Sequence, residues 1–150
     1  MPTDSATRSV VVKAPFAEVL ATIRDVESQA DWIPEILEAE LLEVYEDDEL
    51  PATARFKASA TVGTDEYTLS YEHTDTTMSW TMVEGKLQTG QEGCYTLDEL
   101  DPGRTEVTYE LTIHHNLPLP GFLRRRVING LVESTLGGLQ RYLEATPHGS

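Results

Sequence analysis

Thr105-Glu106-Val107-Thr108-Tyr109-Glu110-Leu111-Thr112-Ile113-His114-His115 alternates strictly: Val107, Tyr109, Leu111, Ile113 and His115 fall on one face, and Thr108, Glu110, Thr112 and His114 on the other. Successive side chains of a strand point to opposite faces, so the pattern predicts a strand with one face against a core. Pro118-Leu119-Pro120-Gly121 then breaks the sheet, and the period changes to helical from Phe122 to Leu143. On a helical wheel, Val127, Ile128, Leu131, Val132, Thr135, Leu136, Gly138, Leu139, Tyr142 and Leu143 share one broad arc, while Arg126, Asn129, Glu133, Ser134, Gly137, Gln140 and Arg141 fill the other. A helix of about six turns with such an arc has to cover something apolar.

Working back towards the N-terminus, the same alternation recurs. Tyr95 and Leu97 mark one strand, which ends at the turn Asp101-Pro102-Gly103. Met78, Trp80 and Met82 mark another, opposite Ser79 and Thr81; Tyr67, Leu69 and Tyr71 mark a third after Gly63-Thr64-Asp65. Ala54, Phe56, Ala58, Ala60 and Val62 alternate with Arg55, Lys57, Ser59 and Thr61, and Leu37, Ala39 and Leu41 with Glu38 and Glu40 before the turn Glu46-Asp47-Asp48-Glu49. These six strands form an antiparallel meander. Ser9 to Lys13 is a β-branched first strand. Between it and the meander, Pro15 opens a helix with Phe16, Val19, Leu20 and Ile23 on one face, Asp25 caps a second short helix through Trp32-Ile33, and Pro34 stops it.

One strand, two short helices, six antiparallel strands and a long C-terminal helix define an α+β class with helices segregated to one face of a curved sheet. The face assigned inward mixes small residues, Ala54, Ala58 and Ala60, with large ones that carry polar tips, Tyr67, Tyr71, Trp80, Tyr95 and Tyr109. That mixture suits the wall of a partly wet pocket as well as an ordinary mixed core.

Composition bounds the rest. The chain has 150 residues, with 26 Asp and Glu against 11 Lys and Arg for a net charge of −15, and one cysteine. At this length a single domain spanning 1–150 is expected, able to bury a core without disulfides. Too few cations are available to neutralise phosphates, which argues against nucleic acid, and the same field repels anionic membranes. No stretch reads as a targeting signal or a membrane span, so a cytoplasmic location is expected. Residues 1–50 hold 13 acidic and 3 basic side chains, 51–100 hold 8 and 3, and 101–150 hold 5 and 5. The last third, which contains Arg124-Arg125-Arg126, is thus the least negative.

The order of elements and four stretches resemble the START-like, or Bet v 1-like, superfamily and its bacterial polyketide cyclase/dehydrase branch. The stretches are Val12-Lys13-Ala14-Pro15-Phe16-Ala17-Glu18-Val19, Asp25-Val26-Glu27-Ser28-Gln29-Ala30-Asp31-Trp32-Ile33-Pro34, Ser79-Trp80-Thr81-Met82-Val83-Glu84-Gly85 and Thr105-Glu106-Val107-Thr108-Tyr109-Glu110-Leu111. The resemblance spans roughly residues 7–145. It implies a helix-grip fold, a seven-stranded antiparallel sheet wrapped around the C-terminal helix with a cavity between them. It further implies an apolar ligand such as a lipid, a polyketide or an isoprenoid. Under that reading the wall that meets the ligand is Phe56, Ala58, Tyr67, Leu69, Tyr71, Met78, Trp80, Met82, Tyr95, Tyr109, Leu111 and Ile113 from the sheet, with Val127, Leu131 and Thr135 from the helix.

Catalytic signals are weak. No nucleophile elbow, phosphate loop or metal-ligand spacing occurs, and no cofactor is expected. His114 and His115 point to opposite faces and cannot share one ion. His115, inward by phase, can serve as a general base at the cavity mouth or simply be a hydrogen-bonded strand-end histidine. Arg124 falls within the apolar arc, where it can clamp a ligand carboxylate or an enolate oxygen, or snorkel to water. Cys94, out of phase with Tyr95, is expected outward or at an edge and inert.

Three readings follow: a carrier or binding protein for an apolar molecule, a polyketide aromatase/cyclase working on a chain tethered to an acyl carrier protein, and an interaction module like the quinone-binding and toxin-like relatives. Monomer and homodimer both suit these faces. The entrance is expected between Pro118-Leu119-Pro120-Gly121 and the loop at Gly63 to Asp65.

Overall fold

The computed structural model describes residues 3–60 and 63–145. Strand β1 (Thr3–Val12) leads into helix α1 (Phe16–Arg24), a single 3-10 turn (Val26–Ser28) and a one-turn helix α2 (Gln29–Trp32). Six strands follow: β2 (Ile36–Val44), β3 (Pro51–Ala60), β4 (Gly63–His73), β5 (Thr77–Gly85), β6 (Gln88–Asp101) and β7 (Arg104–His115). Helix α3 (Gly121–Ala145) closes the chain. All seven strands form one antiparallel sheet in the order β1-β7-β6-β5-β4-β3-β2, so the meander is intact and β1 returns to pair with the last strand.

Phase decides which side chains reach the interior. Ala54, Phe56 and Ala58, Tyr67, Leu69 and Tyr71, Met78 and Trp80, Tyr95 and Leu97, and Val107, Tyr109 and Leu111 are buried, as the alternation requires. Ala60 is exposed, and Val62, expected in the same strand, lies outside the described residues. Strand β2 departs from its reading. A register shift between Ile36 and Glu38 turns Ile36 inward and leaves Leu37 51% exposed. Strand β1 is longer than Ser9 to Lys13: the polar residues from Thr3 onward pair with β7 in register, and the Ser5–Thr112 and Ser9–Thr108 hydroxyl pairs lie at 2.8 and 2.7 Å. Asp25 caps the 3-10 turn through its backbone only, accepting from the Ser28 amide at 3.0 Å and the Ser28 hydroxyl at 2.7 Å.

Helix α3 lies along β1, fastened by the Gln140 amide donating to the Val11 carbonyl (2.9 Å), the Lys13 amide donating to Glu144 (3.1 Å) and the Arg8–Glu133 pair (3.3 Å). Its buried residues are Ile128, Val132, Thr135, Leu136, Gly138, Leu139 and Leu143. Tyr142 and Val127, placed on the same arc, are 38% and 47% exposed. At Gly138 a Cβ would sit 1.8 Å from the Trp32 carbonyl oxygen, so the small residue sets how closely helix and α2 approach.

Candidate functional site

Because the sheet curls away from the N-terminal half of α3, the two do not close on each other. Between them lies a cavity of about 530 Å³, within the range of roughly 300–1,000 Å³ usual for small-molecule sites. Its walls come from β3 to β7, from Gln29, Ile33 and Ile36 beside the short helices, and from Arg124, Arg126, Val127, Ile128, Gly130, Leu131 and Thr135 of α3. Leu117 and Leu119 from the linker, Ala60 and Asp65 from the ends of β3 and β4, and Leu87 from the β5–β6 turn also line it.

Of the wall expected from the sequence, Phe56, Ala58, Tyr67, Tyr71, Trp80, Tyr95, Tyr109, Leu111, Ile113, Val127, Leu131 and Thr135 border the cavity, as do His115 and Arg124. Leu69, Met78 and Met82 do not. Leu69 and Met82 face each other across β4 and β5 and stop short of the void that the rings on either side reach, while Met78 sits beside the β4–β5 turn opposite His73. Val127 borders the cavity from its rim, which explains its exposure.

The deep wall is aromatic. Tyr95 and Tyr109, cross-strand partners on β6 and β7, stack at 4.6 Å and 10°. Trp80 leans on both, at 5.3 and 5.9 Å, and meets Tyr71 edge-on at 6.2 Å. Gly93 makes this possible: a Cβ there would lie 2.2 Å from the Trp80 ring. Burial pushes the phenols of Tyr67, Tyr71, Tyr95 and Tyr109 well above the ordinary tyrosine value, with Asp65 adding to the effect at Tyr67. These hydroxyls therefore stay protonated.

The end beside the β5–β6 turn is polar, and sequence reasoning missed it. The Trp80 indole donates to Gln91 Oε1 (2.9 Å), Gln91 Nε2 to Gln88 Oε1 (2.8 Å), and Gln88 Nε2 to Asp65 Oδ2 (2.9 Å). The Leu87 amide supplies the second donor to Asp65, at 2.8 Å. Each member of this chain has a partner, as a buried network requires. Continuing the phase of Tyr95 back through Gly93 to Gln91 would have found it.

At the same end, His115 and Asp4 form the second polar unit. His115 Nε2–H donates to Asp4 Oδ2 at 2.6 Å, and the Leu117 amide donates to Nδ1 at 3.1 Å. Their side chains are only 7% and 10% exposed. A neutral ring with its proton on Nε2 satisfies both contacts, and both nitrogens are then occupied. His115 is thus a strap between β1, β7 and the linker. Asp4 shares the phase of Ala6 and Val12, the signal that would have exposed it. Arg124 Nε lies 3.6 Å from the other Asp4 oxygen.

Cys94 is half-buried and unpaired with any other cysteine. Among the described residues no group of three His, Cys, Asp or Glu side chains is placed to hold a metal ion, and no helix is long and apolar enough to cross a membrane.

A curled seven-stranded antiparallel sheet gripping a C-terminal helix around a cavity is the helix-grip fold of the START and Bet v 1 proteins. The chain belongs to the family described as polyketide cyclase/dehydrase and lipid transport, which matches residues 3–144. Among solved structures, it is similar to a START superfamily protein from Mycobacterium smegmatis (20% identity, TM-score 0.86, covering 94% of this chain and 97% of that one). It is also similar to the Zhui aromatase/cyclase from Streptomyces sp. R1128 (17%, 0.81, 99% of each) and to a protein from Thermus thermophilus (22%, 0.77, 95% and 98%). No curated protein sequence matches it.

Proposed function

We propose that this protein binds an apolar small molecule, a lipid, polyketide or isoprenoid, inside the cavity and acts as its carrier. The observation that supports this most is the cavity itself: about 530 Å³ bordered by Phe56, Tyr71, Trp80, Tyr95, Tyr109, Leu111 and Leu131. Apolar surface left uncovered at that scale gains free energy when a ligand excludes water, on the order of 25 cal/mol per Å². The aromatic rings are already stacked and buried, so little conformational entropy is lost on binding. The aromatase/cyclase reading needs a side chain that moves protons, and His115, with both nitrogens engaged, is poorly disposed for it. Native mass spectrometry of the purified protein offered fatty acids, quinones and aromatic polyketides tests the proposal. A one-to-one complex with at least one class is expected; a folded protein that retains none of them contradicts it.

A further inference from the structure

Of the polar side chains that border the cavity, Arg124 is the one with a buried nitrogen that lacks a hydrogen-bond partner among the described residues. Its side chain is 26% exposed and borders the cavity, yet its sole ion pair among the described residues is the 3.6 Å approach of Nε to Asp4 Oδ1, too long for a hydrogen bond. Nε is buried with no hydrogen-bond partner among the described residues, while the terminal nitrogens are not among the buried unpartnered atoms. A guanidinium carries five donors in a planar fork, and burying even one of them without an acceptor is costly. The carboxylates that border the cavity are Asp4, Glu35 and Asp65. Asp65 accepts on both oxygens, Asp4 Oδ2 accepts from the His115 N–H, and Glu35 Oε1 accepts from the Ser134 hydroxyl at 3.1 Å. Arg126 borders the same cavity, and the N-terminal turn of α3 adds its partial positive charge. Apart from the 3.6 Å approach of Asp4, none of these carboxylates comes within ion-pair distance of the guanidinium.

We infer that the ligand of this cavity is an amphipathic acid, whose carboxylate is held by the free edge of the Arg124 fork and whose apolar body lies along the aromatic wall. This rests on the binding reading of the preceding section and names its substrate class. A carboxylate matches the fork with two parallel charge-assisted hydrogen bonds, which a lone ester or ketone oxygen cannot supply. Asp4, on the Nε edge and tied to His115, orients the guanidinium without occupying its outer edge.

The test titrates the native protein with a fluorescent conjugated-polyene fatty acid, its methyl ester and the corresponding alcohol. The acid is expected to bind about tenfold tighter or more than either neutral analogue. In Arg124→Gln the three affinities converge, and Arg124→Lys, which keeps the charge and loses the fork, retains part of the preference. The alcohol serves as the folding control, since its affinity should hardly change between variants. Equal affinities in the native protein, or a preference that survives Arg124→Gln, overturn the head-group assignment and leave the binding proposal standing. Failure of all three compounds to bind the folded native protein removes both.

Discussion

At the scale of single residues, two positions carry the geometry of the cavity. Gly93 exists for the Trp80 ring, and the clash a Cβ would make is with indole carbons rather than a flexible chain end. Gly93→Ala should therefore push the indole towards the void and strain its hydrogen bond to Gln91, at a stability cost of about 1–3 kcal/mol with a changed near-ultraviolet dichroism. An unaltered spectrum and melting temperature would mean that the ring is not seated there. Asp4 is the other. Asp4→Ala leaves the buried His115 donor unmatched and should cost about 1–3 kcal/mol, whereas Asp4→Asn keeps an acceptor oxygen and should cost less; denaturant melts of the pair measure the difference. Only the strand phase of Asp4 hints at its role, and Gly93 gives no such sign. Gly93 reads as a weak spot in a strand, and Asp4 as part of a polar tail, because their roles come from partners on other strands.

Elements formed where periodicity was strong. Strand β7 and helix α3 stand as read because a period-2 run and a 3.6 arc each bury one face, and the break at Pro118 to Gly121 separates them cleanly. The readings that failed depend on pairing. The polar half of β1 is a strand because β7 offers it a register, and Leu37 faces outward because β2 bulges against β3. Within α3, two glycines should respond in opposite directions. A Cβ added at Gly130 would meet nothing within 4 Å, so Gly130→Ala should stabilise by up to about 1 kcal/mol through helix propensity. Gly138→Ala collides with the Trp32 carbonyl and should destabilise by about 1–3 kcal/mol; equal effects in denaturant melts would refute the close approach. The β3–β4 pair carries a pH signature. His73 Nε2 lies 2.7 Å from the Pro51 carbonyl, and burial, aided by Arg24 and opposed by the Pro51 contact and Asp48, lowers its pKa from 6.5. The unfolded chain thus binds this proton more readily than the folded one. The contribution is present above pH 6.5 and is lost as pH falls from there to the lowered folded value, with a slope of at most about 1.4 kcal/mol per pH unit. His73→Phe should flatten that part of the stability profile; an unchanged slope would assign it elsewhere.

For the whole molecule, the net charge of −15 describes the coat. The acids of β2 and its turn are exposed, while the cavity wall is aromatic and aliphatic with one polar end, so charge and apolar surface are kept apart. The α+β class and the sheet's inner face were legible from alternation and the helical period, whereas the helix-grip arrangement and its cavity came from the family resemblance. The polar end was less legible: Asp4, Asp65, Gln88 and Gln91 converge only once β1, β4 and β6 are assembled in space. A bound ligand should raise the unfolding free energy by about 2.7 kcal/mol at a hundredfold excess over its dissociation constant, seen as a rise in melting temperature. The most direct test fills the void from within. Ala58 is buried on β3 and borders the cavity, so Ala58→Phe places a ring in the space assigned to the ligand. Titration of both proteins with the same apolar ligand should show that affinity drops at least about tenfold in Ala58→Phe while the protein stays folded. Undiminished affinity in the folded variant would place the ligand elsewhere and contradict the account.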